Sequence, residues 1–114
     1  MAEHDSNHPE TELVRLCRVL RQETNKLEQL ARTMVDAESA HKVAYAQALL
    51  KSEGTVGERE ARATIATDNL YLQRRIAEEL YRVGREKVVS VRTAIEATRT
   101  LNSNLRSLAG VEPL

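Results

Sequence analysis

Residues 52–58 read SEGTVGE and place two of the chain's four glycines in the middle of a sequence otherwise rich in helix-forming residues. Gly54 is a natural residue for a left-handed helix end, because glycine has no Cβ to clash there. The next residues predict a capping box, in which Thr55 is the N-cap and Glu58 reaches back to its amide. A helix that stops at the first glycine, followed at once by a new helix start, predicts the sharp turn of a helical hairpin.

The composition of the 114-residue chain is typical of long helices. Charged residues make up 30% of the sequence and aromatic residues 3%, and Trp and Phe are absent, so a core must be built from Leu, Ile, Val and Ala. The length fits one domain. Equal numbers of basic and acidic residues, 17 each, provide no whole-molecule attraction to nucleic acid or to anionic membranes. A single cysteine excludes an intramolecular disulfide, and no apolar run is long enough for a membrane span, so we expect a cytoplasmic protein.

The expected domain organisation follows from helix start and stop signals. The polar residues 1–8 are expected to be disordered, while Pro9 suits a first helical turn and Gly110 ends the last helix. The expected segments are a helix over 9–52, a turn over 53–56, a helix over 56–108 and a tail over 111–114, with the hairpin occupying 9–110. The fold class is therefore all-α, a long antiparallel two-helix hairpin that resembles a coiled coil.

The first helix carries an apolar seam with coiled-coil spacing. Its two rows, each repeating every seven residues, are Leu13, Leu20, Leu27, Met34, His41 and Ala48, and Leu16, Glu23, Leu30, Ala37 and Ala44. The stripe expected to face it on the second helix is Ala61, Ile65, Leu72, Ile76, Leu80, Val83, Val91, Ala94, Thr98, Leu101, Leu105 and Leu108. Gly84 interrupts that helix, and a helix interior keeps a glycine more readily where another backbone comes close.

The position of the turn predicts which residues face each other. If facing residues have numbers that sum to about 110, Glu23 lies opposite Lys87 and His41 lies opposite Asp68 and Asn69. Polar groups on a seam fix its register, because other alignments leave them unpaired. His41 has two interpretations: a histidine hydrogen-bonded inside the seam, or a catalytic base or metal ligand in an enzyme centred on His41 and Asp68. No second His or Cys comes near enough in the predicted fold to complete a metal site.

Motifs for nucleotide binding, nucleophilic catalysis and metal binding are missing from the sequence. We therefore expect no catalytic residue, no cofactor, no metal and no small-molecule substrate.

The second helix has more apolar surface than a two-helix hairpin can cover. Its apolar arc is broad, and the predicted register places residue 100 opposite Pro9, so the leucines that follow have no partner in their own chain. Such surfaces indicate interaction sites. We expect a C2 homodimer that forms a four-helix bundle, or a protein partner in the same place. The expected interface residues are Tyr81, Val88, Ile95, Leu101, Leu105 and Leu108.

Four arginines recur every seven residues on the second helix: Arg85, Arg92, Arg99 and Arg106. Such a row could follow a phosphate backbone, as in an accessory nucleic-acid-binding protein. The alternative is the outer, solvated row of a coiled coil.

Two segments carry a resemblance to a known group of proteins. Residues 53–61 (EGTVGEREA) and 101–106 (LNSNLR) resemble the EGT-V-x-ER-x-A turn and the late LNxxLR helix end of small helical proteins from bacteriophages of actinobacteria and related hosts. Those proteins are often encoded near recombination or single-strand-handling genes and have no established activity. The resemblance implies a phage or prophage origin and a cytoplasmic accessory role with a host or phage protein as partner, and it implies no catalytic residues.

Overall fold

The computed structural model describes residues 9–110, and the side chains from residue 11 onwards. Over this range the protein is all-helical, with α1 at Pro9–Lys51, α2 at Val56–Ala66 and α3 at Asp68–Leu108. The expected disorder of residues 1–8 and the expected tail at 111–114 lie outside the described residues.

The turn between α1 and α2 is built as the sequence predicts. Gly54 has a φ of 112°, in the left-handed region that favours glycine. Thr55 is the N-cap of α2: its hydroxyl oxygen accepts the Glu58 amide at 3.2 Å, and the Glu58 carboxylate accepts the Thr55 amide at 3.4 Å. Arg59 also donates to the Leu49 carbonyl at 3.1 Å, which ties the start of α2 to the end of α1.

A break at Thr67 corrects the expectation of one continuous helix over 56–108. Thr67 has a φ of −113° and a ψ of 17°, outside the helical range. Its amide and its hydroxyl both donate to the carbonyl of Ala63, at 3.1 and 2.7 Å. Threonine side chains that bond back to the preceding turn often bend a helix, but Thr93 and Thr98 make the same bond in α3 without a break. The second arm of the hairpin is therefore two helices.

The chain divides into two compact units. The turn unit is Leu27–Gly84 and holds the end of α1, all of α2 and the start of α3. The terminal unit pairs the rest of α1 with the rest of α3, and its described residues are 9–26 and 85–110. Each unit has its own buried stripe.

In the turn unit, α1 runs antiparallel to α2 and α3. Three contacts establish this direction: Leu49 with Arg59, the ring of His41 with the ring of Tyr71, and Leu30 with Gly84. The covered residues of α1 are those of the predicted seam, with Leu27, Leu30, Met34, Ala37, His41, Ala44 and Ala48 all half-buried. The seam prediction for α1 is therefore confirmed in this unit.

The stripe expected on the second arm is wrong in the turn unit. The covered residues follow an alternating spacing of four and three: Ala63, Thr67, Leu70, Arg74, Ala77, Tyr81 and Gly84. This spacing matches that of the α1 seam, as coiled-coil packing requires. The α1 seam is alanine-rich near the turn, and small residues on the facing helices let the two backbones approach closely. The larger Ile65, Leu72, Ile76 and Leu80 remain exposed instead.

Gly84 is a position where α3 and α1 side chains come very close. A Cβ atom added there would lie 2.9 Å from Leu30 Cδ1 and 3.2 Å from Leu27 Cδ1. The absence of a side chain thus makes room for two leucines of α1, as the sequence predicts for a glycine kept inside a helix.

The terminal unit has a more conventional apolar core. Leu16 of α1 and Val88 and Ile95 of α3 are buried, and they are flanked by half-buried residues. The flanking residues are Leu13, Val19, Leu20, Val91, Ala94 and Thr98. β-Branched, leucine and alanine side chains form this core, and Glu23, seven residues after Leu16, is half-buried as well.

Candidate interaction surfaces

The turn unit exposes a row of large apolar side chains, which we call the outer stripe. Its members and their exposed fractions are Ile65 77%, Leu72 57%, Ile76 52%, Leu80 51% and Val83 38%. At about 100° per residue, these positions fall on one side of α2 and α3, roughly a third of the helix circumference from the covered stripe. They cannot pack on α1, because the covered stripe occupies that face. Within α3 the outer stripe is therefore an exposed apolar row on a face turned away from α1, and Ile65 precedes it on α2.

The two flanks of the outer stripe differ in charge. One flank carries Arg75 and Glu79, continued by Asp68, Arg82 and Glu86. The other carries the uncharged side chains of Asn69 and Gln73. On the charged flank, Arg82 pairs with Glu79, and Arg75 donates to Glu78 at 3.2 Å.

A layer of polar groups crosses the covered side of the turn unit. Arg74 lies at a seam position, donates from Nε to Glu78 Oε2 at 3.1 Å, and reaches Nδ1 of His41 with Nη1 at 3.4 Å. A guanidinium only donates, so the His41 nitrogen is the acceptor. The His41 ring also contacts Tyr71 edge to face, with centroids 5.5 Å apart. His41 is thus a hydrogen-bonded seam residue.

Glu38 of α1 adjoins this layer and interacts with Glu78. The pKa of Glu38 is raised above its usual value, first by hydrogen bonding to Glu78, then by burial and by the like charge of Glu78, against the opposing effect of Arg74. The interaction with Glu38, together with the hydrogen bond and charge of Arg74, lowers the pKa of Glu78. Of the two carboxyl groups, Glu38 is therefore the one that takes up a proton first as the pH falls.

The predicted register pairs are corrected by this geometry. His41 meets Tyr71 and Arg74, while Asp68 is exposed as the first residue of α3. The expectation assumed an uninterrupted helix from Val56, and the break at Thr67 removes the basis of that alignment.

Glu23 also has a different partner from the one expected. Its carboxylate pairs with Lys26 on its own helix at 3.5 Å, and among the described residues no ion pair joins it to the exposed Lys87. Residues three apart on a helix are neighbours, so the local pair forms without any constraint from α3.

The expected interface residues separate into two groups. Val88 and Ile95 are buried in the core of the terminal unit, and Tyr81 is half-buried on the covered stripe. These three residues therefore face α1 and do not form an exposed surface. The remaining three, which we call the terminal leucines, are exposed: Leu101 52%, Leu105 44% and Leu108 85%.

The arginine row lies on the surface of the terminal unit. Arg85, Arg92, Arg99 and Arg106 are all exposed. Arg99 pairs with Glu96 at 3.0 Å. For the other three, no carboxylate of the described chain lies within ion-pair distance.

Sequence reasoning missed two features of these surfaces. It assigned the outer stripe to the intramolecular seam, although the spacing of seven, four, four and three between its members departs from the regular four–three alternation of a seam. It also left Glu38 out of the polar layer, since nothing in the α1 sequence distinguishes this glutamate from its solvated neighbours.

The described residues contain no cluster of three or more His, Cys, Asp or Glu side chains arranged to hold a metal ion. Between residues 9 and 110, none of the helices combines the length and apolar character needed to cross a membrane.

Comparisons with known proteins give no relative: no family model matches the chain, and neither a curated protein nor a solved structure is significantly similar to it.

Proposed function

We propose that this chain is a non-enzymatic helical interaction protein that self-associates and binds a protein partner. The observation that carries the proposal is the outer stripe, five large apolar side chains in one exposed row. Water-exposed apolar rows of this kind cost free energy that burial against a partner recovers, at roughly 25 cal/mol for each Å² covered. Contiguous apolar patches on soluble proteins accordingly mark interaction sites.

A second copy of the chain is the partner that the outer stripe suits best. Each turn unit is a helical hairpin with one covered face and one uncovered apolar row. Two such hairpins that pack row against row form a four-helix bundle with a C2 axis. The small and polar residues inside each hairpin bury little apolar surface, so the additional seam supplies stability that the isolated hairpin lacks.

Measurement of the molar mass in solution tests self-association. Sedimentation or light scattering at micromolar concentration is expected to give twice the chain mass. Ile76→Lys in the outer stripe is expected to give the monomer mass. Val43→Lys is the matched control: Val43 is 52% exposed, as Ile76 is, but it lies on α1 among small and polar neighbours. A wild-type chain that stays monomeric, or equal effects of the two variants, contradicts the proposal.

The terminal leucines are the proposed surface for a different protein. They lie on the terminal unit, are exposed, and stand apart in sequence from the outer stripe. A phage-type accessory role, as the sequence resemblance implies, would make this partner a host or phage protein. Quantitative affinity capture is expected to lose that protein with Leu105→Lys and keep it with Leu50→Lys, a control at another exposed leucine. Equal capture by both variants contradicts this part of the proposal.

An accessory nucleic-acid-binding function is the second candidate, and the arginine row favours it. Three of its four guanidinium groups have no ion-pair partner in the described chain, so they are available to phosphate. A salt titration of single- and double-stranded DNA binding, starting at about 50 mM salt, tests this function. The triple variant Arg85→Gln, Arg92→Gln and Arg106→Gln is expected to flatten the salt dependence by about two to three counterions.

The matched control for the nucleic-acid test removes three exposed arginines from α1, at Arg18, Arg21 and Arg32. It lowers the net charge by the same amount and is expected to leave the salt slope nearly unchanged. Absence of DNA binding by the wild type, or equal losses in the two triple variants, would exclude the arginine row as a nucleic-acid site.

A further inference from the structure

We infer that the two copies of the chain pack through the outer stripe in antiparallel orientation, with the two-fold axis between Ile76 and Leu80. The inference rests on the proposed self-association and adds its geometry. The outer stripe of one copy therefore packs against the outer stripe of the other copy, which runs in the opposite direction.

The order of the apolar residues supports the reversed direction. Along α3 the stripe reads Leu72, Ile76, Leu80 and Val83, which is nearly symmetric about a point between its second and third members. When one copy is reversed about this point, Ile76 of each copy meets Leu80 of the other, and Leu72 meets Val83. Every large side chain of this segment then has an apolar partner across the axis.

The charge asymmetry of the flanks supports the same orientation. In an antiparallel helix pair each flank faces the same flank of the other copy, whereas in a parallel pair the opposite flanks meet. Beside the axis, the antiparallel arrangement places Arg75 of each copy near Glu79 of the other, which makes two opposite-charge pairs. Farther from the axis it places Asp68 near Glu86 of the other copy, a like-charge pair at exposed positions. A parallel arrangement would place those charges against Asn69, Gln73 and Leu80, which offer no ionic partner.

Both charged groups can reach across the axis. Their side chains are exposed, and their present partners are neighbours on their own helix: Glu78 for Arg75 and Arg82 for Glu79. Exposed pairs three residues apart contribute little, so exchange for an intermolecular partner costs little.

Disulfide trapping tests the orientation directly. The single natural cysteine, Cys17, is exposed and is first replaced by Ser. Proteins carrying Leu72→Cys or Val83→Cys are then oxidised separately and as a mixture. Disulfides form only where the two Cα atoms come within about 7 Å. An antiparallel pair predicts a crosslinked dimer in the mixture and little in either protein alone. A parallel, in-register pair predicts a crosslinked dimer in each protein alone.

Exchange of the charges of Arg75 and Glu79 provides an independent test of the orientation, which is needed if a cysteine variant weakens association. Arg75→Glu is expected to raise the dissociation constant about fivefold, and Arg75→Glu with Glu79→Arg is expected to restore it. Circular dichroism checks that the variants remain helical. A dimer that crosslinks in the parallel manner, with no recovery in the double variant, overturns the orientation and leaves self-association in place. A monomeric wild type overturns both.

Discussion

The two units of this protein differ in where they place their large apolar residues. The terminal unit buries Leu16, Val88 and Ile95, and a row of arginines and the terminal leucines lie on its surface. The turn unit covers alanines, a glycine and a charged layer around Arg74 beside half-buried leucines, and it exposes Ile65, Leu72, Ile76 and Leu80. Large side chains therefore form the core of the terminal unit, whereas a row of them remains exposed on the second arm of the turn unit.

Replacement of one large apolar residue in each unit by alanine is expected to give the largest difference between the two units. Ile95→Ala removes a buried side chain and is expected to lower the free energy of unfolding by about 3 kcal/mol. Ile76→Ala removes an exposed one and is expected to change the free energy of unfolding of the monomer by less than about 0.5 kcal/mol, while weakening self-association. Urea denaturation at a concentration where the dimer dissociates measures the first effect, and sedimentation measures the second. Similar losses of monomer stability in the two variants would remove the distinction between the units.

Substitution of glycine tests the close approach inside the turn unit. Gly84→Leu forces a side chain between Leu27 and Leu30 and is expected to destabilise the protein by about 2 kcal/mol. Gly57 is the matched control, because no atom lies within 4 Å of the place where its Cβ would be. Gly57→Leu is expected to be neutral or to stabilise α2 by up to about 1 kcal/mol, since leucine is a better helix former. Thermal unfolding followed by circular dichroism compares the two variants, and equal effects would contradict the packing described at Gly84.

Removal of the N-cap side chain of α2 tests how much the turn between α1 and α2 contributes to the stability of the turn unit. Thr55→Ala deletes the acceptor for the Glu58 amide and is expected to cost about 1 kcal/mol of unfolding free energy. Thr64→Ala, which removes an exposed hydroxyl bonded to the Glu60 carbonyl, is the control and is expected to change stability by less. Chemical denaturation of both variants provides the comparison.

The opposite pKa shifts of Glu38 and Glu78 predict a pH dependence that arises in the turn unit. The pKa of Glu38 is raised in the folded state, so its contribution to stability is present below the unfolded-state pKa and is lost as the pH rises through the folded-state pKa. The pKa of Glu78 is lowered, so its contribution has the opposite sign and is lost as the pH falls. Glu38→Gln keeps a hydrogen-bond donor to Glu78 at every pH.

We therefore expect Glu38→Gln to raise the melting temperature slightly at pH 7, with the difference from wild type shrinking as the pH falls and Glu38 itself becomes protonated. Melting curves at a series of pH values check this, and Glu28→Gln, which removes the same charge from an exposed site of α1, is the control. A difference that grows toward acid pH would contradict the raised pKa of Glu38.

Local signals made much of the fold predictable. The left-handed Gly54 and the Thr55–Glu58 capping box are encoded in adjacent residues, and the seven-residue rows of α1 identify its covered face. The face of α3 was harder to predict because it carries two candidate stripes, and the more apolar one is exposed. Hydrophobicity alone favours the outer stripe, while the fit to an alanine-rich seam favours the smaller residues. That fit is a property of two helices together, which neither sequence segment shows by itself.

The candidate site was less predictable than the fold for a similar reason. The polar layer depends on the alignment of α1 with α3, and α3 begins only after the break at Thr67. An error of a few residues in register was enough to exchange Asp68 for Arg74 as the neighbour of His41 and to leave Glu38 unnoticed.

The break at Thr67 also has a consequence for local unfolding. It leaves α2 as an 11-residue helix in which Ala63 is the one buried residue, too short to be stable by itself in water. Segments with so few buried contacts open before the rest of a protein and exchange their amide hydrogens sooner. Ile65, which begins the outer stripe, lies in this segment. The rate of amide exchange in α2 would therefore report on this end of the stripe separately from the part that α3 carries.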